Sequence, residues 1–153
     1  MNDQSKSSEW VLPEGLPRPV PSTEGLGAEF WAGTLNHQLL IQRCEDCRNW
    51  QWGPEIICRS CGSEQLGYEP AEPVGTIYSW QRCWYPVHPN LKESLPYVVL
   101  LIALDSATGV RLVGNLVGDA EQAFEIGDRV TAVFEDHPGD DPYTLVQWQR
   151  SEG

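Results

Sequence analysis

The sequence predicts a mainly β protein, in which a short helix and a four-cysteine ribbon precede a five-stranded barrel of the OB type. Three observations predict it. Two Cys-x-x-Cys pairs lie ten residues apart, at Cys44/Cys47 and Cys58/Cys61. Five segments of strand character follow them, bounded by clusters of Gly, Pro, Asn and Asp. Helical signal is confined to short stretches. With 153 residues, 41% of them hydrophobic, and seven Trp, the chain can form one ordinary domain or two very small ones.

Residues 1–23 read as an arm, because Pro13, Pro17, Pro19 and Pro21 recur without a periodic apolar pattern. Such an arm is either a loose terminus or a segment that orders against a partner through Trp10, Val11, Leu12 and Leu16. Ser22 or Thr23 is placed to cap a helix running to about His37, with Leu26, Phe30 and Gly33 or Thr34 on one face. Leu39 to Arg43 then reads as a strand entering the first cysteine pair. Trp50–Gly53 and Leu66–Tyr68 are short strands around the second. The expected division is therefore an arm over 1–23, helix plus ribbon over 24–70, and the barrel over 71–150.

The cysteine spacing is that of a zinc site. A two-residue gap lets both sulfurs of a pair reach one ion at about 2.3 Å. A reducing compartment favours metal binding over disulfides for this pattern. Cys44, Cys47, Cys58 and Cys61 would close the coordination sphere, so the Zn²⁺ is expected to be structural, one per chain. Iron in a rubredoxin-like site would use the same geometry. Gly62 follows the second pair, where positive φ is often needed, whereas Arg48 and Asn49 follow the first. Arg43, Arg48 and Arg59 crowd this segment and are expected to offset the thiolate charge.

Charge narrows the partners. With 10 Lys+Arg against 22 Asp+Glu, the net charge is −12, which repels a phosphate backbone rather than steering it in. Neither a membrane span nor a secretory signal is visible, so the cytoplasm is the expected location.

The barrel strands are expected at Gly75–Tyr85, Tyr97–Leu104, Val110–Val117, Arg129–Glu135 and Tyr143–Arg150, with a short helix over Ala120–Phe124. By a period of two, Tyr78, Trp80, Arg82 and Trp84 share one face of the first strand. These aromatics either fill the barrel or form a contact face. Tyr97–Leu104 is apolar on both sides, so its outer side is expected to be covered by the ribbon, the first helix or another protein. No nucleophile elbow, phosphate loop or His-Glu-x-x-His motif is present, and Cys83 has no His partner at a telling spacing. No catalytic residue is assigned.

Several blocks resemble a family of zinc-ribbon/OB-fold proteins long labelled as of unknown function. They are Phe30-Trp31-Ala32-Gly33 leading into Leu39–Cys44, Gly75-Thr76-Ile77-Tyr78-Ser79-Trp80, Tyr97–Leu104, Arg111–Asp119 and Val133–Asp136. The resemblance covers about residues 24–150. It implies association with thiolase-fold enzymes or acyl-CoA hydratases that handle coenzyme A thioesters. Trp84-Tyr85-Pro86-Val87-His88-Pro89 looks most like the subgroup that joins thiolase-like lipid-transfer proteins. Those complexes are retro-aldolases (carbon–carbon lyases) of steroid side-chain degradation, a branch of lipid metabolism. The implied role is a non-catalytic subunit, with Tyr78, Trp80, Trp84, Tyr85, Pro86, His88 and Pro89 as partner or substrate-channel contacts. The alternatives are an accessory subunit of an acyl-CoA hydratase, thiolase or acyltransferase, and a stand-alone module binding nucleic acid or free acyl-CoA.

Overall fold

A computed structural model describes residues 10–17 and 21–151. The first element is the helix α1, Ala28–Leu35. It is shorter than the capping pattern implies. The Ser22 hydroxyl accepts from the Glu24 amide instead, and Gly25, at φ +77°, keeps the chain in turns up to Gly27. His37 ends the helix in the left-handed region, at φ +56°, its amide donating to the Thr34 carbonyl. Phe30, Gly33 and Thr34 are buried as expected, but Leu26 precedes the helix and stays exposed.

The ribbon is a three-stranded antiparallel sheet of β1 (Leu39–Cys44), β2 (Trp50–Gln51) and β3 (Leu66–Ala71), in the order β2-β1-β3. The barrel comprises β4 (Val74–Cys83), β5 (Tyr97–Leu104), β6 (Arg111–Asn115), β7 (Arg129–His137) and β8 (Tyr143–Arg150). Their order is β6-β5-β4-β7-β8. The sheet closes between its edges: Leu116 bridges Trp148 in parallel, and the Val117 amide donates to the Trp148 carbonyl at 2.8 Å. Gly114 permits this approach, since a Cβ there would fall 2.4 Å from the Val146 carbonyl oxygen. Closure removes the free edges that an open sheet would expose.

One core joins ribbon and barrel. Phe30, Leu39 and Ile41 pack in the same buried cluster as Ile77, Leu100, Ile102, Val130 and Trp148. The helix packs on β1 and β8, so it covers the seam and not the outside of β5. On β5 burial alternates: Val98, Leu100, Ile102 and Leu104 are buried, while Tyr97, Val99, Leu101 and Ala103 are half-buried. That outer stripe is therefore not fully covered by the chain itself.

Residues 120–124 form a turn, not the expected helix. Arg82 donates to the Ala120 and Gln122 carbonyls, and Arg150 to that of Ala123. These bonds tie the turn to the barrel strands β4 and β8. A 3-10 helix over Pro89–Ser94 occupies the β4–β5 loop instead, and the sequence pattern did not reveal it.

Candidate metal centre and partner-facing end

Cys44 ends β1, and Cys47 follows on its turn. Cys58 and Cys61 sit on the loop between β2 and β3. The two turns repeat one hydrogen-bonding pattern. The Cys44 amide donates to the Asn49 carbonyl and the Cys58 amide to that of Ser63; Arg48 donates back to Cys44 and Gly62 to Cys58. Both closing residues are left-handed, Arg48 at φ +63° and Gly62 at φ +76°. Arg48 thus does without glycine what Gly62 does with it, and its guanidinium is tied to Glu69 at 2.6 Å.

The four sulfurs converge. Cys44 and Cys61 Sγ are 3.7 Å apart, Cys47 and Cys58 Sγ 3.6 Å, and all four lie within 4.8 Å of one another. Four ligands at about 2.3 Å around a tetrahedral zinc lie about 3.8 Å from each other. The residues therefore fit one ion. Acidity agrees: the Cys61 and Ser60 backbone amides pull the Cys58 thiol down to about 6. Cys61 is pushed up to about 12: the Ser63 amide favours its thiolate, but Cys47, Cys44 and lost solvation outweigh it. The sulfurs thus compete for their protons, and four thiolates this close could coexist only around a cation. When bound, zinc supplies a rigid cross-link and no open coordination position.

The three ribbon arginines do not face the sulfurs. Arg43 and Arg48 both bind Glu69, Arg43 also stacks over Trp50, and Arg59 donates to the Trp52 and Gly53 carbonyls. Their contacts strap the sheet and the loop, and the expected direct offset of the thiolate charge is not among them. Buried Gln42 and Gln51 bond each other at 2.6 Å and hold the Glu55 and Arg59 amides of the loop. These glutamines fix the second pair's position. Their signal, two polar residues inside apolar strands, was present in the sequence and unread.

The Arg43 and then the Arg48 guanidinium hold the Glu69 carboxyl below its ordinary value. An acid lowered on folding stabilises fully above the unfolded carboxylate range, near pH 4, and less as pH falls through the folded value. Thermal midpoints of the chain and of Glu69→Gln should differ at pH 7, and the gap should shrink as pH falls below about 4 toward the folded value. A gap that keeps its full size as the pH falls from 7 through the acid range would contradict the pairing.

At the other end, β4 is not one continuous alternation. A bulge between Ile77 and Ser79 slips the register, so Trp80 and Arg82 pair with buried Leu100 and Val98. Tyr78 falls on the outside, with the Arg111 guanidinium 3.8 Å from its ring centroid. The shared face expected for Tyr78, Trp80 and Arg82 is thereby overturned, because one extra residue inverts the alternation beyond it. Trp80 meets Phe124 edge-on and Arg82 lies over both rings. Trp84 lies past the strand's end. Trp84, Tyr85 and Val87 are 61%, 79% and 78% exposed, an unusual cluster for a solvated loop. His88 caps the 3-10 helix through Nδ1, accepting from the Asn90 amide at 3.2 Å.

Comparison with known proteins matches both halves of the chain. Residues 31–67 match the ChsH2 rubredoxin-like zinc ribbon domain, and residues 68–135 the ChsH2 C-terminal OB-fold domain. A chain of the solved Ltp2-ChsH2(DUF35) aldolase is 32% identical, with a TM-score of 0.72. That likeness covers 87% of this chain and 98% of the other. The chain belongs to the ChsH2 family. A DUF35-family protein from Sulfolobus solfataricus, 14% identical, has the same fold with a TM-score of 0.59 over 82% of this chain and 85% of its own. A probable enoyl-CoA hydratase alpha subunit of Thermomonospora curvata is 36% identical over 72% of this ChsH2-family chain. The 3-oxo-4,17-pregnadiene-20-carboxyl-CoA hydratase alpha subunit of Mycobacterium tuberculosis is 29% identical over 92% of it. The chain spans only 33% and 42% of the length of these two relatives. No helix among the described residues is long and apolar enough to cross a membrane.

Proposed function

We propose that this chain is the non-catalytic zinc-ribbon/OB subunit of a thiolase-like retro-aldolase that cleaves acyl-CoA thioesters in steroid side-chain degradation. The likeness to a chain of the Ltp2-ChsH2(DUF35) aldolase carries the reading, since it runs over nearly all of that chain. The closed tetrathiolate site agrees with a structural role, because it leaves no place for substrate on the metal. The exposed Trp84, Tyr85 and Val87, with Pro86, His88 and Pro89 in the same loop, form the surface proposed to meet the partner; Tyr78 and Trp80, exposed on opposite faces of β4, are separate candidates. Large aromatics are the usual anchors of such contacts.

The test is co-expression with a thiolase-like lipid-transfer-type subunit, followed by assay of retro-aldol cleavage of an acyl-CoA. Activity is expected from the pair and from neither alone. Trp84→Ala and Tyr85→Ala should each weaken the complex by about 2 kcal/mol, roughly thirtyfold in Kd, without altering the fold. Full activity from the thiolase-like chain alone would end the reading.

A second reading has its own support, since both curated relatives are hydratase alpha subunits. In that case the chain would complete an acyl-CoA hydratase. Capture of a hydratase subunit in place of the thiolase-like one, with hydration of an enoyl-CoA, would decide for it.

A further inference from the structure

Residues 10–17 lie across the barrel, where the sequence left open whether the arm orders at all. The indole of Trp10 stacks on the His137 imidazole, with centroids 4.2 Å apart. Tyr143 stacks on the same imidazole at 4.5 Å, and two stacked rings cannot share one face, so His137 is held between them. Trp10 Nε1 donates to the Asp136 carbonyl at 3.0 Å, and the Val11 amide donates to Glu135 Oε2 at 2.7 Å.

Glu135 is the centre of this arrangement. It is 4% exposed, and a buried carboxylate is costly unless donors converge on it. Three do. His137 Nε2 meets Oε1 at 2.8 Å, Gln147 Nε2 meets Oε2 at 3.3 Å, and the third donor is the arm's own Val11 amide. The barrel thus presents an acceptor and an aromatic slot that the arm completes. Farther along, the Gly15 carbonyl accepts from Asn90 Nδ2 at 2.8 Å, within the 3-10 helix of the β4–β5 loop. Gly15 stands at φ +86°, a conformation that favours glycine, and a Cβ there would crowd that nitrogen at 2.6 Å. Leu12 and Leu16 complete the contact, walling a cavity of about 470 Å³ with Leu145 and Tyr143.

We infer that Glu135, His137 and Tyr143 form a peptide-recognition site occupied by the chain's own Trp10–Val11, and that the docked arm holds the 86–96 loop through Gly15 and Asn90. Glu135 reads a backbone N–H, which any extended segment offers. The slot between His137 and the solvent reads the indole. Gly15 passes the constraint on to the loop that carries Val87 and His88. The inference concerns this chain alone, so it stands or falls independently of which enzyme is the partner.

Hydrogen exchange on the full chain tests it. In the unmutated chain the Trp10 indole N–H should be protected, and the Leu91 amide, bonded to the His88 carbonyl, should exchange slowly. Trp10→Ala is expected to speed exchange at Leu91 at least tenfold, while amides of Val98 and Ile102 in the core keep their protection. Asn90→Ala should loosen Leu91 to the same extent but leave the Trp10 indole protected. Glu135→Gln, which keeps the shape and loses the charge, should speed exchange of the indole at least fivefold. A Trp10 indole that exchanges like free tryptophan in the unmutated chain would overturn the docking. Unchanged exchange at Leu91 in Trp10→Ala would overturn the coupling, and an unchanged indole in Glu135→Gln would remove Glu135 from the site.

Discussion

Stripping the metal with excess chelator, or replacing Cys58 with Ser, is expected to unfold the ribbon and to loosen the barrel with it. The ribbon has little core of its own; its buried apolar residues are chiefly Leu39, Ile41 and Ala71. Structural zinc contributes about 10–16 kcal/mol to such small sites. That is as large as the whole stability of an ordinary domain, about 5–15 kcal/mol. Because Leu39 and Ile41 belong to the same cluster as Ile102 and Trp148, losing β1 uncovers one side of the barrel's core. Elemental analysis should find about one zinc per chain. Chelation should shift the tryptophan emission to the red, since Trp31, Trp50 and Trp52 pack against that core. Cys→Ser at Cys44, Cys47 or Cys61 should act in the same direction. A metal-free chain with native fluorescence and a cooperative melt would refute the dependence.

Trp148→Ala is expected to cost about 3–5 kcal/mol, the largest effect of any single side chain in the barrel. Trp148 is fully buried on β8, at the bridge to Leu116 that closes the barrel. Truncation would leave a cavity at the closure point, where a neighbouring strand pair has little room to relax. Trp148→Phe separates packing from polarity. The indole N–H of Trp148 is buried and meets no acceptor among the described residues. An orphaned buried donor costs about 1–3 kcal/mol, so its removal should offset much of the lost volume. Denaturant unfolding of the two variants checks this: a large loss for Ala and a small one for Phe. Equal losses would mean that the N–H has an acceptor after all.

Much of the site was legible because its information is local. A two-residue gap within each of two nearby cysteine pairs points to a shared ion, and strand-rich runs bounded by turn residues placed β5 and β8 with their observed ends. The departures have non-local causes. The expected helix over 120–124 is replaced by a turn held by Arg82 and Arg150, which are remote in sequence. The grouping of Tyr78 with Trp80 fails because a bulge costs nothing in composition and leaves no trace in the pattern. That Arg48 stands where the other knuckle has Gly62 was legible in the sequence; that it adopts the same left-handed conformation was not.

The sequence by itself determined the metal ligands, the order of ribbon and barrel, and an acidity unsuited to phosphate backbones, because spacing, periodicity and charge are carried by neighbouring residues. Only the tertiary structure decided that the ribbon and barrel share one core and that the barrel closes at Leu116 and Trp148. It also decided that Trp10 and Val11 lie on Glu135, Asp136 and His137, 124 and more residues away along the chain. Such contacts depend on which surfaces meet after folding. A Pro-rich segment reads the same whether or not a buried carboxylate waits for one of its amides.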